Sequence, residues 1–225
     1  MAKEDEINYP REIARHQNID YDVVSDYLLR KPFSDVNCSS YLQDISQILS
    51  LMPQKPASVL DVGVGSGWTS DIFAQAGYDV VGIDISEDMI EIAKKRNSKA
   101  KFFVSDYENN GIDGKFDVAV IYDALHHADS EKVVIQNIFD ALKDGGVLIT
   151  VEPGAGHSQT EGSVQAMANY GTTEKDMPFD HQRILMREVG FGAIDQYIRL
   201  SQLPLENISD TQGILKQSRH AFTVL

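Results

Sequence analysis

Residues Val59-Leu60-Asp61-Val62-Gly63-Val64-Gly65-Ser66-Gly67-Trp68 read VLDVGVGSGW, an apolar run that breaks into three alternating glycines. A strand, a glycine turn and a helix let bare backbone approach a ligand, and the helix N-terminus favours a negative group. The dinucleotide pattern G-x-G-x-x-G does not fit. Counted from Gly63, its sixth position is Trp68, whose indole obstructs the packing a third glycine permits. A P-loop needs Gly-Lys-Ser/Thr, and no lysine follows Gly67.

Outward from this loop the units alternate. Ser58–Val62 reads as a strand, Thr69–Ala76 as a helix capped at Gly77, and Asp79–Ile83 as a second strand. Ser86 is a good N-cap, Glu87 and Asp88 suit the positive end of a helix, and Ile85 with Ile90 sit at staple positions. Lys94, Lys95 and Arg96 suit its other end. Lys101–Val104 and Phe116–Tyr122 are further strands. Val133, Val134, Ile138, Ala141 and Leu142 mark a helix closed by Gly145-Gly146, and Val147–Val151 a fifth strand. Upstream, Leu42, Ile45, Ile48, Leu49 and Met52 predict an amphipathic helix over 40–52, stopped by Pro53 and Pro56. Residues 1–40 read as polar and irregular. After Glu152 a Gly-, Ser-, Thr- and Met-rich stretch runs to 178, a helix is expected over Asp180–Val189 before Gly190, and strands near 192–200 and 218–225. The stretch 201–217 has no assignment.

This alternation predicts an α/β, doubly wound, mainly parallel sheet, with the ligand at the carboxyl ends of its strands. The unusual residues fall at those ends. Strand two ends in Gly82-Ile83-Asp84, where a carboxylate can accept from both hydroxyls of a ribose. Strand three ends in Ser105-Asp106-Tyr107, and strand four in Ile121-Tyr122-Asp123-Ala124-Leu125-His126-His127.

In this order, over 58–152, the four motifs resemble the class I S-adenosylmethionine-dependent methyltransferases. The resemblance implies a seven-stranded, Rossmann-like sheet with an antiparallel last strand, for which Arg219–Leu225 is the candidate. It implies that the Asp61–Gly67 loop, with Asp61, Gly63, Gly65 and Gly67, lies against the methionine part of S-adenosylmethionine, and Trp68 is a further cofactor-binding candidate. Asp84 would hold the ribose, Ile85 and Met89 flank the adenine, Asp106 meet its amino group beside Tyr107, and Tyr122 and Asp123 lie near the methyl group. Other roles stay open. Asp61 also reads as a residue serving loop geometry, Asp84 as a helix cap, Asp106 as a turn residue before Asn109-Asn110-Gly111, and Trp68 and Tyr107 as packing. The expected organisation is a lid over 1–40 and a methyltransferase domain over 41–225, with a cofactor half at 58–152 and acceptor-side elements at 153–217.

Methyl transfer from a sulfonium is an in-line displacement in which alignment does most of the work. A base matters when the acceptor is a hydroxyl. Asp123, His126, His127, Glu152 and His157 cluster at the ends of strands four and five, with His126, His127 and His157 as the catalytic candidates. Catechol-type relatives place an Asp-Asn pair where this chain has Glu152-Pro153-Gly154, and no cysteine–histidine cluster suggests zinc, so no metal is expected. The segments Glu152–Ser158 and Tyr170–Pro178 resemble a bacterial subgroup associated with glycosyltransferases and surface polysaccharide. The expected acceptor is therefore a small molecule or glycan, methylated at oxygen. An NAD-dependent oxidoreductase and a non-catalytic S-adenosylmethionine-binding module are the alternatives, the first disfavoured by Trp68.

Among the 225 residues, a net charge of −14 and the absence of Asn-Pro-Pro-Tyr and Pro-Cys motifs argue against nucleic acid as a partner. The single cysteine, Cys38, reads as structural and fits a reducing compartment. The acidic start MAKEDEINYP is unlike a secretory signal, and no apolar run approaches a membrane span, so a cytoplasmic protein without membrane insertion is expected. The apolar alternation Ala221–Leu225 is consistent with one domain of a longer chain.

Overall fold

A computed structural model describes residues 2–109 and 112–197. Its centre is a five-stranded, all-parallel sheet: β1 (Ser58–Val62), β2 (Asp79–Asp84), β3 (Lys101–Val104), β4 (Phe116–Tyr122) and β5 (Leu142–Val151). The spatial order is β3-β2-β1-β4-β5. The chain winds outward from β1 to β3, then returns to β4 on the other side of β1. That reversal creates a crevice at the carboxyl ends of β1 and β4, the natural ligand site of such sheets.

The nine α-helices of the described residues are α1 (Ala2–Ile7), α2 (Tyr9–Gln17), α3 (Tyr21–Leu29), α4 (Cys38–Leu51), α5 (Trp68–Gln75), α6 (Glu87–Lys94), α7 (Glu131–Ala141), α8 (Glu161–Tyr170) and α9 (Phe179–Val189). Strand alternation divides the core between the two faces. Leu60, Val62, Ala119 and Ile121 pack with Val134, Ile135 and Ile138 of α7 and Met186 of α9. Val59, Val118 and Val120 pack with Ile45 and Ile48 of α4 and Phe73 of α5.

The expected strands β1, β3 and β4 have the bounds read from sequence, and α4 and α9 begin within two residues of theirs. Four expectations are corrected. Residues 1–40 are largely helical: Pro10 stands in the first turn of α2, Asn18 closes it in a left-handed conformation, and Asp20 caps α3 by accepting from Asp22 N. Ala14, Val24 and Leu28 bury against Ile92 of α6, which gives these short helices the tertiary packing they need.

Gly145-Gly146 does not close α7, which ends at Ala141. Leu142 already pairs with Phe116, and Val147 with Val118, so 143–146 bulge out of β5 opposite Asp117 alone. The stretch 153–178 contains α8, capped by Thr160 onto Ser163 N and closed by left-handed Gly171. Residues 192–197 form no strand. The expected strand over Arg219–Leu225 lies outside the described residues, as do 198–200. No described helix is long and apolar enough to cross a membrane.

Candidate active site

The glycine loop is built from backbone. Gly63 N and Val64 N both donate to Ile83 O, at 2.9 and 3.0 Å, which ties the loop to the end of β2. Gly63 has φ +68°, and a Cβ there would stand 2.5 Å from Ala124 Cβ. Gly65 has φ +51°, and a Cβ there would meet nothing within 4 Å. The first glycine is therefore required by the protein's own packing. The second opens onto space, the arrangement a ligand-facing glycine needs.

Asp84 stands beside it. Its Oδ2 accepts Gly65 N at 2.7 Å and its Oδ1 accepts Ser86 N at 2.9 Å. Burial pushes its carboxyl above the ordinary range, against the lowering effect of those two amides. The helix cap is Ser86 and not Asp84, which fastens the turn before it, and each carboxylate oxygen keeps a second lone pair for a ribose hydroxyl. Ser86 caps α6, accepting from Met89 N at 3.4 Å, and donates to Ile7 O at 2.6 Å. Ile85 and Met89 are half-buried at this edge, with Met89 packed against the α2–α3 cluster.

Asp106 closes a turn, accepting Glu108 N at 2.9 Å and Asn109 Nδ2 at 2.6 Å, and also receives Lys3 Nζ at 2.7 Å. Tyr107 is half-buried against the core, its hydroxyl directed 3.4 Å from Ala124 O.

Three expected cofactor residues are placed for structure. Asp61 is buried, and its Oδ2 takes hydroxyls from Thr69 at 2.6 Å and Ser70 at 2.7 Å, fastening α5 to β1. Burial outweighs those bonds and raises its pKa to about 6. Trp68 is buried between Tyr41 and Tyr122, at ring separations of 5.5 and 5.6 Å. Tyr122 turns its hydroxyl to Asp44 at 2.8 Å. Asp123, at φ +54°, donates its N–H to Val151 O and leaves its side chain more than half exposed at the crevice.

The second half of the site is made of side chains. Glu152, at the end of β5, has a fully buried carboxylate. Its Oε1 accepts Ala124 N and Leu125 N at 3.1 and 2.8 Å, and its Oε2 accepts His126 N at 3.3 Å and pairs with His126 Nδ1 at 2.8 Å. These four contacts fix the His126 ring through Nδ1 and leave Nε2 as its second nitrogen. Glu152, a base candidate from sequence, is thereby a positioning residue.

His126 Nε2 lies 3.6 Å from Glu174 Oε2, which also meets His157 Nε2 at 2.8 Å. His127 Nδ1 lies 2.5 Å from Thr173 O and 3.3 Å from Glu6 Oε1. Burial lowers the His127 pKa, but Glu6, Glu174 and the Thr173 carbonyl outweigh it and push it up to about 9. The rings of His126 and His127 are 4.0 Å apart at centroid, those of His126 and His157 5.0 Å.

The three catalytic candidates therefore meet in one place. Glu174 and Glu6 join them, and the sequence reading missed both. Glu174 lies within Tyr170–Pro178, which had been singled out only for resemblance. Nothing local marks Glu6, 121 positions before His127.

This sheet order, with the glycine loop and the acidic strand ends, defines the fold of S-adenosylmethionine-dependent methyltransferases. Residues 60–150 match the family model described as a methyltransferase domain. S-adenosylmethionine is the cofactor of the methyltransferases that this stretch resembles. The chain is similar to the demethylmenaquinone methyltransferase of Lactococcus lactis, 36% identical over 104 residues, 42% of this chain and 41% of that one. It is similar also to the ubiquinone biosynthesis O-methyltransferase of Coxiella burnetii, 31% identical over 113 residues, 48% of this chain and 47% of that one. The chain thus spans about half the length of these curated relatives, or less.

Among solved structures, an S-adenosylmethionine-dependent methyltransferase of Mesorhizobium loti matches with a TM-score of 0.60 at 16% identity, covering 67% of this chain and 81% of the other. Phosphoethanolamine N-methyltransferase 2 of Haemonchus contortus, in complex with S-adenosyl-L-methionine, matches with a TM-score of 0.55 at 23% identity, covering 67% and 37%. At those identities the likeness is one of fold.

Proposed function

We propose that this chain transfers a methyl group from S-adenosylmethionine to an oxygen of a small-molecule or glycan acceptor. The observation that carries the reading is the open space above Gly65 directly beside the half-buried carboxylate of Asp84. When bound, S-adenosylmethionine supplies a methyl carbon already activated by a positive sulfonium. The backbone of Gly63–Gly67 would lie along its methionine part and Asp84 would accept from its ribose. Asp106 would meet the adenine amino group, with Ile85 and Met89 as adenine flanks. Asp123 would stand on the acceptor side, near the methyl group.

A hydroxyl acceptor must shed its proton. His126, His127 and His157 converge with Glu174 where that proton would be handled. The name of the ubiquinone biosynthesis O-methyltransferase supports oxygen, and together with the demethylmenaquinone methyltransferase it supports a small acceptor. The segments 152–158 and 170–178 support a glycan, and they supply Glu152, His157 and Glu174 to the cluster.

Residues 1–40 would act as the lid over this crevice. Lys3 reaches Asp106 and Glu108, Glu6 accepts Thr173 N at 2.9 Å, and Arg11 grips both oxygens of Asp88 at 2.6 and 2.7 Å.

The test is calorimetric titration with S-adenosylhomocysteine, with NAD as control, followed by an acceptor screen of sugars, lipid-linked glycans and quinols. Binding of S-adenosylhomocysteine but not NAD, with turnover on one acceptor class, is the expected result. Binding of NAD instead would overturn the reading. Binding without turnover on any acceptor would favour a non-catalytic module.

A further inference from the structure

Within the site proposed for the acceptor, two histidines share one arrangement. The Nδ1 of His126 is held by the Glu152 carboxylate at 2.8 Å, and the Nδ1 of His127 faces the Thr173 carbonyl at 2.5 Å. In each ring Nδ1 is engaged by a fixed partner, and Nε2 is the nitrogen left to meet a ligand. This is the outer support typical of metal-binding histidines, which fixes tautomer and ring orientation.

Glu174 is fixed in the same way. Its Oε1 accepts the Thr172 hydroxyl at 3.2 Å and its Oε2 meets His157 Nε2 at 2.8 Å. A nitrogen from each of His126 and His127 and an oxygen from Glu174 all lie within 4.8 Å of one another.

The spacing separates a cation from a simple hydrogen bond. His126 is 2% exposed, and its Nε2 has no hydrogen-bond partner among the described residues; its nearest acceptor is Glu174 Oε2 at 3.6 Å. That is long for a hydrogen bond. It is close to the edge of a tetrahedron whose metal–ligand bonds are about 2.0–2.1 Å, an edge of roughly 3.3 Å. A buried nitrogen that faces a carboxylate at 3.6 Å leaves room for a positive ion between them.

We propose that His126, His127 and Glu174 bind a divalent first-row metal ion of the zinc type, with Glu152 as the outer partner of His126. The ligand set is distinct from the Asp and Asp-Asn positions of the catechol-type enzymes: it uses the adjacent histidines after β4 and a glutamate after α8. Two imidazoles and one carboxylate suit zinc and leave a position open. An acceptor hydroxyl at that position would have its pKa lowered by the ion. The proposal thus deepens the methyltransferase reading and rests on it for the identity of that oxygen.

The test begins with full-length protein stripped by a chelator and titrated with Zn2+, then with Co2+ followed by visible absorption. One equivalent of Zn2+ is expected to bind, with Co2+ giving the absorption bands of a nitrogen- and oxygen-ligated site. Glu174→Gln and His126→Asn should abolish the bands. Glu152→Gln, which removes only the outer partner, should weaken metal binding about tenfold to a hundredfold. All three variants should still bind S-adenosylhomocysteine, which shows that they are folded.

Absence of a Co2+ spectrum in the wild-type chain would overturn the proposal without touching the cofactor reading. So would a spectrum that survives both ligand variants. Loss of S-adenosylhomocysteine binding in the wild-type chain would count against the methyltransferase reading alone.

Discussion

The two halves of the crevice are made by different means. At the ends of β1 and β2 the site is backbone: glycine amides, a loop tied to Ile83 O, and one carboxylate that fastens its own turn. At the ends of β4 and β5 it is side chain, brought together from positions 6, 126, 127, 152, 157 and 174. The first half can be shared by many enzymes because it reads only what every cofactor molecule of one kind presents. In the proposed reading the second half is where the acceptor is distinguished, and it depends on segments far apart in sequence.

The largest expected effect tests the backbone half against itself. Gly63→Ala drives a Cβ to 2.5 Å from Ala124 Cβ. Overpacking of that kind costs about 1–3 kcal/mol, and an L-residue in the left-handed region adds about 1–2 kcal/mol. Gly65→Ala meets no atom and carries only the second cost. Thermal unfolding should therefore drop much further for Gly63→Ala. Gly65→Ala should stay folded and lose S-adenosylhomocysteine affinity. Equal loss of stability in both would dissolve the distinction between a packing glycine and a ligand-facing one.

Next comes the contrast between the halves. Asp84→Ala should weaken S-adenosylhomocysteine binding about tenfold to a hundredfold, the range set by a lost charged hydrogen bond of about 1.5–3 kcal/mol. His126→Ala should leave that affinity within about twofold and cut turnover about a hundredfold or more, the scale on which a placed group handles a proton. Calorimetry and a methyl-transfer assay on the same two variants read both. If His126→Ala weakened cofactor binding as much as Asp84→Ala does, the two halves would be one coupled unit.

The same contrast explains what the sequence could disclose. Asp61–Gly67 and Asp84 were readable because turn chemistry and strand ends are local, and a strand followed by spaced glycines has few structural solutions. The histidines were visible as residue types, but their arrangement was not, because it depends on Glu6 and Glu174 arriving through tertiary packing. The role of Glu152 was misread for a related reason: a carboxylate near a reaction centre looks like a base until its four donors are seen. Trp68 and Asp61 lie inside the motif, yet their side chains turn into the second core and onto α5. The bulge at 143–146 escaped notice because Gly-Gly after an apolar helix is also an ordinary helix stop. It serves instead to bring Lys143 onto Asp117 at 2.9 Å.

That last pair lies at the opposite, amino-terminal pole of the strands and gives the smallest expected effect. Asp117 accepts Ser58 N and Ser58 Oγ, both at 2.8 Å, as well as Lys143 Nζ. The Ser58 amide, Lys143 and the Ser58 hydroxyl hold its pKa down at about 2. A depressed carboxyl pKa stabilises the fold above the unfolded value near 3.8, and that contribution fades as pH falls toward about 2. The side chain is a third exposed, so solvent keeps the effect small. Asp117→Asn should lower the unfolding temperature slightly at neutral pH, and its deficit relative to the wild-type chain should shrink as pH drops from about 4 to about 2. Neither S-adenosylhomocysteine binding nor turnover should change, because the strands between Asp117 and the crevice are held along their length by ladder bonds and by two cores. A change in turnover from this distance would mean that the β4–β5 register reaches the histidine cluster, and that the acceptor half is set by the whole strand pair rather than by its carboxyl ends.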